Sequence, residues 1–210
     1  MKRNCQLFHC YLFAFLTVVG FLGVGCDNSQ LTTLSEDGVI VAFGNSLTRG
    51  TGVSAENSYP AALARMTGRT VINAGIPGEV TAQGRERLPM VLDKYQPDLV
   101  IICHGGNDIL RRKSMADAAA NLDAMVQTAL DRSIEVVLVA VPKLSIFGDP
   151  PDFYKAVARK YGVPIDMDTL EDLERDRSMK SDPIHFNAKG YEKLARAVAN
   201  MLEAHGAIAY

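Results

Sequence analysis

Val39-Ile40-Val41-Ala42-Phe43-Gly44-Asn45-Ser46-Leu47-Thr48 decides how this chain folds. Its first five residues are all apolar and rich in β-branched side chains, the composition of a strand buried on both faces. The run then breaks into Gly44-Asn45-Ser46-Leu47-Thr48, a polar string that reads as a turn. Strands covered on both sides belong to parallel sheets, and open sheets of that kind gather ligands outside the carboxyl ends of their strands. Ser46 therefore falls three residues past a strand end, where a reactive group is expected.

The same alternation continues along the chain. Strands are expected at Thr70 to Asn73, Asp98 to Cys103, Glu135 to Val141 and Val163 to Asp166. Between them, helices are expected at Tyr59 to Met66 with Pro60 at its start, Leu88 to Tyr95 ending before Pro97, and Phe153 to Tyr161 ending at Gly162. Met115 to Arg132 carries Leu122, Met125, Val126 and Ala129 at helical spacing. A last helix after Asn187 repeats the stripe with Tyr191, Leu194, Ala195, Val198, Met201 and Leu202. The pattern predicts an α/β fold, a three-layer αβα sandwich.

Three further polar motifs fit this frame: Asn73-Ala74-Gly75-Ile76-Pro77-Gly78, Gly105-Gly106-Asn107-Asp108 and Asp182-Pro183-Ile184-His185. Gly78 follows the second strand by five residues and Asn107 the third by four, so both converge with Ser46 on one edge of the sheet. A serine hydroxyl is a poor nucleophile until a base takes its proton, and that base must itself be oriented. His205 lies in the C-terminal Ala204-His205-Gly206 and reads as a surface residue; His104 continues the third strand and reads as structural or supporting. His185 has Asp182 three residues before it, with Pro183 restricting the loop. That spacing can aim the carboxylate at the near ring nitrogen and leave the far one for Ser46. The amides of Ser46 and Gly78 and the side-chain NH2 of Asn107 could serve as oxyanion donors.

Ser46, Gly78, Asn107 and His185 match, in order, the four name-giving residues of the SGNH branch of the GDSL esterase/lipase family. The resemblance runs from about Gly38 to His205 and includes Tyr59-Pro60-Ala61-Ala62-Leu63, Gly84-Arg85-Glu86-Arg87-Leu88-Pro89 and Tyr95-Gln96-Pro97-Asp98-Leu99-Val100. It is greatest to small bacterial periplasmic arylesterases, thioesterases and lysophospholipases. It implies a flavodoxin-like five-stranded parallel sheet of order 2-1-3-4-5 and a Ser46-His185-Asp182 hydrolase with neither metal nor cofactor. The implied substrates are aryl or acyl esters, thioesters or lysophospholipid-like molecules. Two motifs depart from the family: Asn45 replaces an Asp beside the nucleophile, and Pro183 and Phe186 stand near His185 where other residues are usual. The first is expected to alter local hydrogen bonding without removing activity.

Two other classes compete with a hydrolase. An electron carrier would share the sheet but needs a Ser/Thr-rich phosphate loop after the first strand, and Gly44 to Gly52 offers only Ser46, Thr48 and Thr51. A non-catalytic lipoprotein could bind ligands in the same cleft. Within the hydrolases, a carbohydrate or peptidoglycan O-acetylesterase is the alternative to an acyl esterase. Leu144-Ser145-Ile146-Phe147 follows the fourth strand and reads equally as an acyl-pocket wall or as packing on the sheet rim.

Residues 1–25 read as a signal peptide: Lys2 and Arg3 precede an uncharged apolar run from Tyr11 to Gly25. Its end, Gly23-Val24-Gly25-Cys26, resembles a bacterial lipoprotein signal, which implies lipidation of Cys26. Ordinary secretion and a retained anchor are the alternatives, and all three export the domain to the cell envelope, facing the periplasm in the lipoprotein case. Residues 26–37 then read as lipid anchor and polar tether, and 38–210 as the hydrolase domain. Cys5 and Cys10 leave with the signal, so Cys103 is left alone in an apolar strand and reads as a buried inert thiol. Without residues 1–25 the chain has 20 basic and 24 acidic side chains, a net charge of −4 that gives no reason to expect a nucleic-acid partner. The sequence carries no sign of oligomeric state.

Overall fold

Five parallel strands lie at the centre of the computed structural model, which describes residues 30–143 and 148–209. In chain order the elements are β1 (Val39–Gly44), α1 (Ser46–Arg49), α2 (Tyr59–Thr67), β2 (Thr70–Gly75), α3 (Thr81–Tyr95), β3 (Leu99–Cys103), α4 (Gly106–Leu110), α5 (Met115–Leu130), β4 (Glu135–Val139), α6 (Phe153–Tyr161), β5 (Ile165–Asp166), α7 (Thr169–Arg175) and α8 (Ala188–Ala204). The strands are ordered β2-β1-β3-β4-β5, as the family resemblance implies. Ile40 to Phe43 of β1 and all of β3 are buried, because helices cover both faces: α2 packs with α8, and α3 with α5 and α5 with α6. The apolar stripes of α5 and α8 are the surfaces that meet the sheet. Leu122, Met125, Val126 and Ala129 are buried in the first, and Tyr191, Leu194, Ala195, Val198 and Leu202 in the second.

Connections leave β1 in one direction for β2 and then cross to β3 on its other side. The order therefore reverses at β1, and the crevice between the carboxyl ends of β1 and β3 is the place where such sheets bind ligands. The register sets Gly44 beside Gly75 on one side and beside Cys103 on the other. The three loops that follow these strands are consequently level with one another.

Two expectations change. Helix α3 begins at Thr81 rather than Leu88, because its first two turns are held by tertiary bonds instead of an apolar stripe. The buried Asp108 carboxylate accepts from the Thr81 amide at 2.9 Å and the Thr81 hydroxyl at 2.8 Å, which places negative charge at the helix N-terminus. The second correction concerns the polar tether expected to run to residue 37. Leu31 and Leu34 belong to the hydrophobic core, and their amides donate to the carbonyls of His205 and Ala207 at 2.8 Å each. Thr32 bonds Glu135 and Thr33 bonds the Gly206 carbonyl. Two leucines spaced to face the core outweigh the polar residues between them, so the folded domain includes Leu31 and Leu34. Cys26, its lipidation and the signal segment lie outside the described residues, as does the Leu144 to Phe147 segment read as a pocket wall.

Candidate active site

Ser46 opens α1 directly after β1. Asn45 caps this short helix through its side-chain oxygen, which accepts from the Leu47 amide at 3.1 Å. The amide at 45 thus performs the capping that its own side-chain oxygen suits, and the turn that carries Ser46 keeps its cap with Asn in place of Asp. Ser46 Oγ lies 3.0 Å from Nε2 of His185. Nδ1 of His185 lies 2.8 Å from Oδ2 of Asp182.

The loop from Asp182 to His185 is built around the carboxylate. Oδ1 accepts from the amides of Ile184 and His185, both at 2.8 Å, while Oδ2 faces the ring. These bonds, the one from the His185 ring foremost, pull the Asp182 carboxyl down from 3.8 to about 2. An ionised carboxylate only accepts, so Nδ1 of His185 carries the proton. Nε2 then presents its lone pair to the Ser46 hydroxyl, which donates to it. The loop base is fixed by Phe186, fully buried and edge-on to Tyr191, and by the Ser181 amide donating to the His185 carbonyl at 2.9 Å. Phe186, one of the departures from the family pattern, thus holds the loop base by its burial.

Asn107 lies in the first turn of α4 and lines the same cleft as Ser46, together with Leu47, Leu110, Val141, Pro142 and Ile184. Its Nδ2 donates to the Glu79 carbonyl at 2.9 Å. One of its two amide hydrogens is thereby used to set the side chain, and the other remains for a ligand. Gly78 has φ +80°, a left-handed conformation that favours glycine, and its carbonyl accepts from Arg111 Nη2 at 2.9 Å. The Gly78 loop and the Asn107 turn are thus bonded to each other.

Sequence reading assigned His104 a supporting place and gave no role to Glu79 or Arg87. The structure joins all three. Glu79 is 5% exposed and takes Arg87 Nε on Oε1 at 2.7 Å and Nη2 on Oε2 at 2.6 Å. His104, with no exposure at all, places Nε2 3.0 Å from the same Oε2. Burial pushes the Glu79 carboxyl up, but the bonds from Arg87 and His104 outweigh it and hold it below the usual carboxylate range. The Arg87 guanidinium also stacks on Phe43, 4.1 Å from the ring centre. Nothing in spacing or periodicity signals a cluster that joins residues 8 and 25 positions apart. Cys103 is buried with its thiol pushed up to about 12, chiefly by desolvation, as expected of an inert strand residue.

A serine hydroxyl, an imidazole and a carboxylate hydrogen-bonded in line, beside a cleft lined by a side-chain amide, form an arrangement that suits acyl transfer. Comparison with known proteins agrees. The model of the GDSL-like lipase/acylhydrolase family matches residues 42–193. The chain is 30% identical to an arylesterase of Vibrio mimicus over 177 residues, covering 79% of this chain and 88% of that protein. It is 26% identical to thioesterase 1/protease 1/lysophospholipase L1 of Escherichia coli (strain K12) over 199 residues, covering 91% and 90%. Among solved structures, TesA superposes with a TM-score of 0.71 at 26% identity, covering 79% of this chain and 98% of TesA. AlinE4, an SGNH-hydrolase family esterase, superposes at 0.62 with 31% identity, covering 81% and 97%. The family match runs from within β1 into α8 and takes in every loop that carries the four motifs, so the chain belongs to the GDSL-like lipase/acylhydrolase family and is an SGNH-type ester hydrolase.

Proposed function

We propose that Ser46 is the nucleophile of a carboxylic ester or thioester hydrolase, with His185 as its general base and acid and Asp182 as the group that orients His185. The observation that carries this reading is the continuous hydrogen-bond path from Ser46 Oγ through the His185 ring to Asp182, at 3.0 and 2.8 Å. Ser46 Oγ attacks the carbonyl carbon while its proton passes to Nε2. The carbonyl oxygen gains the negative charge and is met by the amides of Ser46 and Gly78 and by the free hydrogen on Asn107 Nδ2. The tetrahedral species collapses, the leaving oxygen or sulfur takes the proton from Nε2, and the acyl group stays on Ser46. Water then attacks the acyl ester, His185 accepts its proton, and the acid is released with Ser46 restored.

The cleft walls at Leu47, Leu110, Val141, Pro142 and Ile184 are apolar, which suits the hydrocarbon part of an acyl or aryl group. Relatives named arylesterase and thioesterase/lysophospholipase support aryl esters, acyl thioesters and lysophospholipid-like substrates. Lipidation at Cys26 would hold the domain at a periplasm-facing membrane, where such substrates occur.

Turnover of p-nitrophenyl esters from acetyl to palmitoyl by wild type and Ser46→Ala tests this. The expected result is an inert alanine protein and a wild-type preference for chains longer than acetyl. Strict acetyl preference would transfer the reading to an O-acetylesterase, and full activity of Ser46→Ala would reject the mechanism.

A further inference from the structure

The proposed reaction makes no use of His104, although its ring is fully buried beside the site. It sits between two loops: Glu79 follows the donor Gly78 by one residue, and His104 precedes the donor Asn107 by three. We propose that His104 is a positioning residue for ester hydrolysis, whose ring ties the Gly78 loop to the Asn107 turn and so fixes the two oxyanion donors relative to each other. The inference rests on the oxyanion roles proposed above for Gly78 and Asn107.

The bonding pattern supports it. Glu79, as an ionised carboxylate, can only accept, so His104 Nε2 donates to it; Nδ1 accepts from the Gly105 amide at 3.2 Å. The His104 carbonyl accepts from the buried Tyr154 hydroxyl at 2.6 Å, which fixes the backbone on the other side. The opposite loop is fixed as firmly, since Glu79 is gripped by Arg87 from α3 through two bonds and its carbonyl holds Asn107 Nδ2. Both loops are therefore anchored, and His104 is the side chain from one that reaches the anchor of the other.

The fold accepts local costs to keep the ring there. Gly84 lies inside α3, where glycine is a poor helix former, and a Cβ at that position would come 2.5 Å from His104 Nε2. The glycine opens the slot that the imidazole fills. A buried charged cluster is itself seldom better for stability than apolar packing of equal volume. Geometry supplies the reason to retain it, because donors stabilise an oxyanion only when held about 2.7–3.1 Å from it. A misplacement of about 1 Å can cost on the order of 10²-fold in rate.

The test compares three substitutions by kcat and KM on p-nitrophenyl butyrate, with thermal midpoints as a check of folding. His104→Leu fills the slot without a donor, His104→Gln keeps a donor long enough to reach Glu79, and His104→Asn is polar but too short. The leucine and asparagine proteins are expected to lose about 10- to 100-fold in kcat with KM within about twofold, and the glutamine protein to recover most of it. The asparagine and glutamine pair carries the contrast if the leucine protein does not fold. Wild-type kcat in a folded leucine or asparagine protein, equal losses in all three, or a loss confined to KM would overturn the inference. Ser46→Ala runs alongside: if it is inert while the His104 variants match wild type, the positioning role alone fails, and if it turns over, the proposed function fails too.

Discussion

Replacing Asn107 with Ala separates what this side chain does for the fold from what it does for the reaction. In the structure its Nδ2 makes one protein hydrogen bond, 2.9 Å to the Glu79 carbonyl, at a half-buried position. Losing such a bond costs about 0.5–1.5 kcal/mol. A domain with about 5–15 kcal/mol of stability stays folded at 25 °C after that loss, and its thermal midpoint falls by only a few degrees. Losing an oxyanion donor is larger, on the order of 10² to 10³ in kcat, or about 2.7–4 kcal/mol of transition-state stabilisation. KM should hardly move, because a ground-state ester carbonyl carries little of the charge that the donor meets. The assay is kcat and KM on p-nitrophenyl butyrate together with urea unfolding of both proteins. A folded Asn107→Ala enzyme within threefold of wild-type kcat would refute the donor role, as would a change confined to KM.

Three other outcomes follow from single contacts. Gly84→Ala should destabilise the protein by about 1–3 kcal/mol in urea unfolding, although glycine to alanine inside a helix ordinarily gains about 0.5–1, because the new methyl would collide with His104; a stabilised alanine protein would show that the slot yields easily. The Asp182 carboxyl is depressed from 3.8 to about 2, so the stability it contributes is complete above about pH 4 and is lost as pH falls towards 2. Asp182→Asn should therefore lose less stability than wild type between pH 4 and 2, and equal slopes in acid unfolding would contradict the depressed Asp182 carboxyl. Cys103, with its thiol pushed up to about 12, should resist a disulfide reagent at pH 8 in the folded protein and react once urea exposes it; prompt reaction of the native protein would place it nearer solvent than the structure does.

Much of the fold was legible because β1 and β3 are buried on both faces and so read as unbroken apolar runs. The start of α3 was not, since Thr81 to Arg87 has no apolar stripe and is held by Asp108, 27 residues further along the chain. Leu31 and Leu34 were missed for a related reason: two apolar residues among polar ones give no period, and only the packed domain shows where they dock. At the site, Asp182 and His185 were legible because they stand three positions apart and a local loop sets their geometry. The pairing of His185 with Ser46 crosses 139 residues, and only the order of motifs at strand ends suggested it. The Glu79, His104 and Arg87 cluster had no such signal, because it depends on how two loops meet in space.

Covalent labelling with a fluorophosphonate, followed by mass mapping of the adduct, tests the central claim most directly. The phosphorus should attach to Ser46 in wild type, with labelling abolished in Ser46→Ala and turnover lost in proportion to the adduct. An adduct on another residue, or undiminished labelling of Ser46→Ala, would contradict the account.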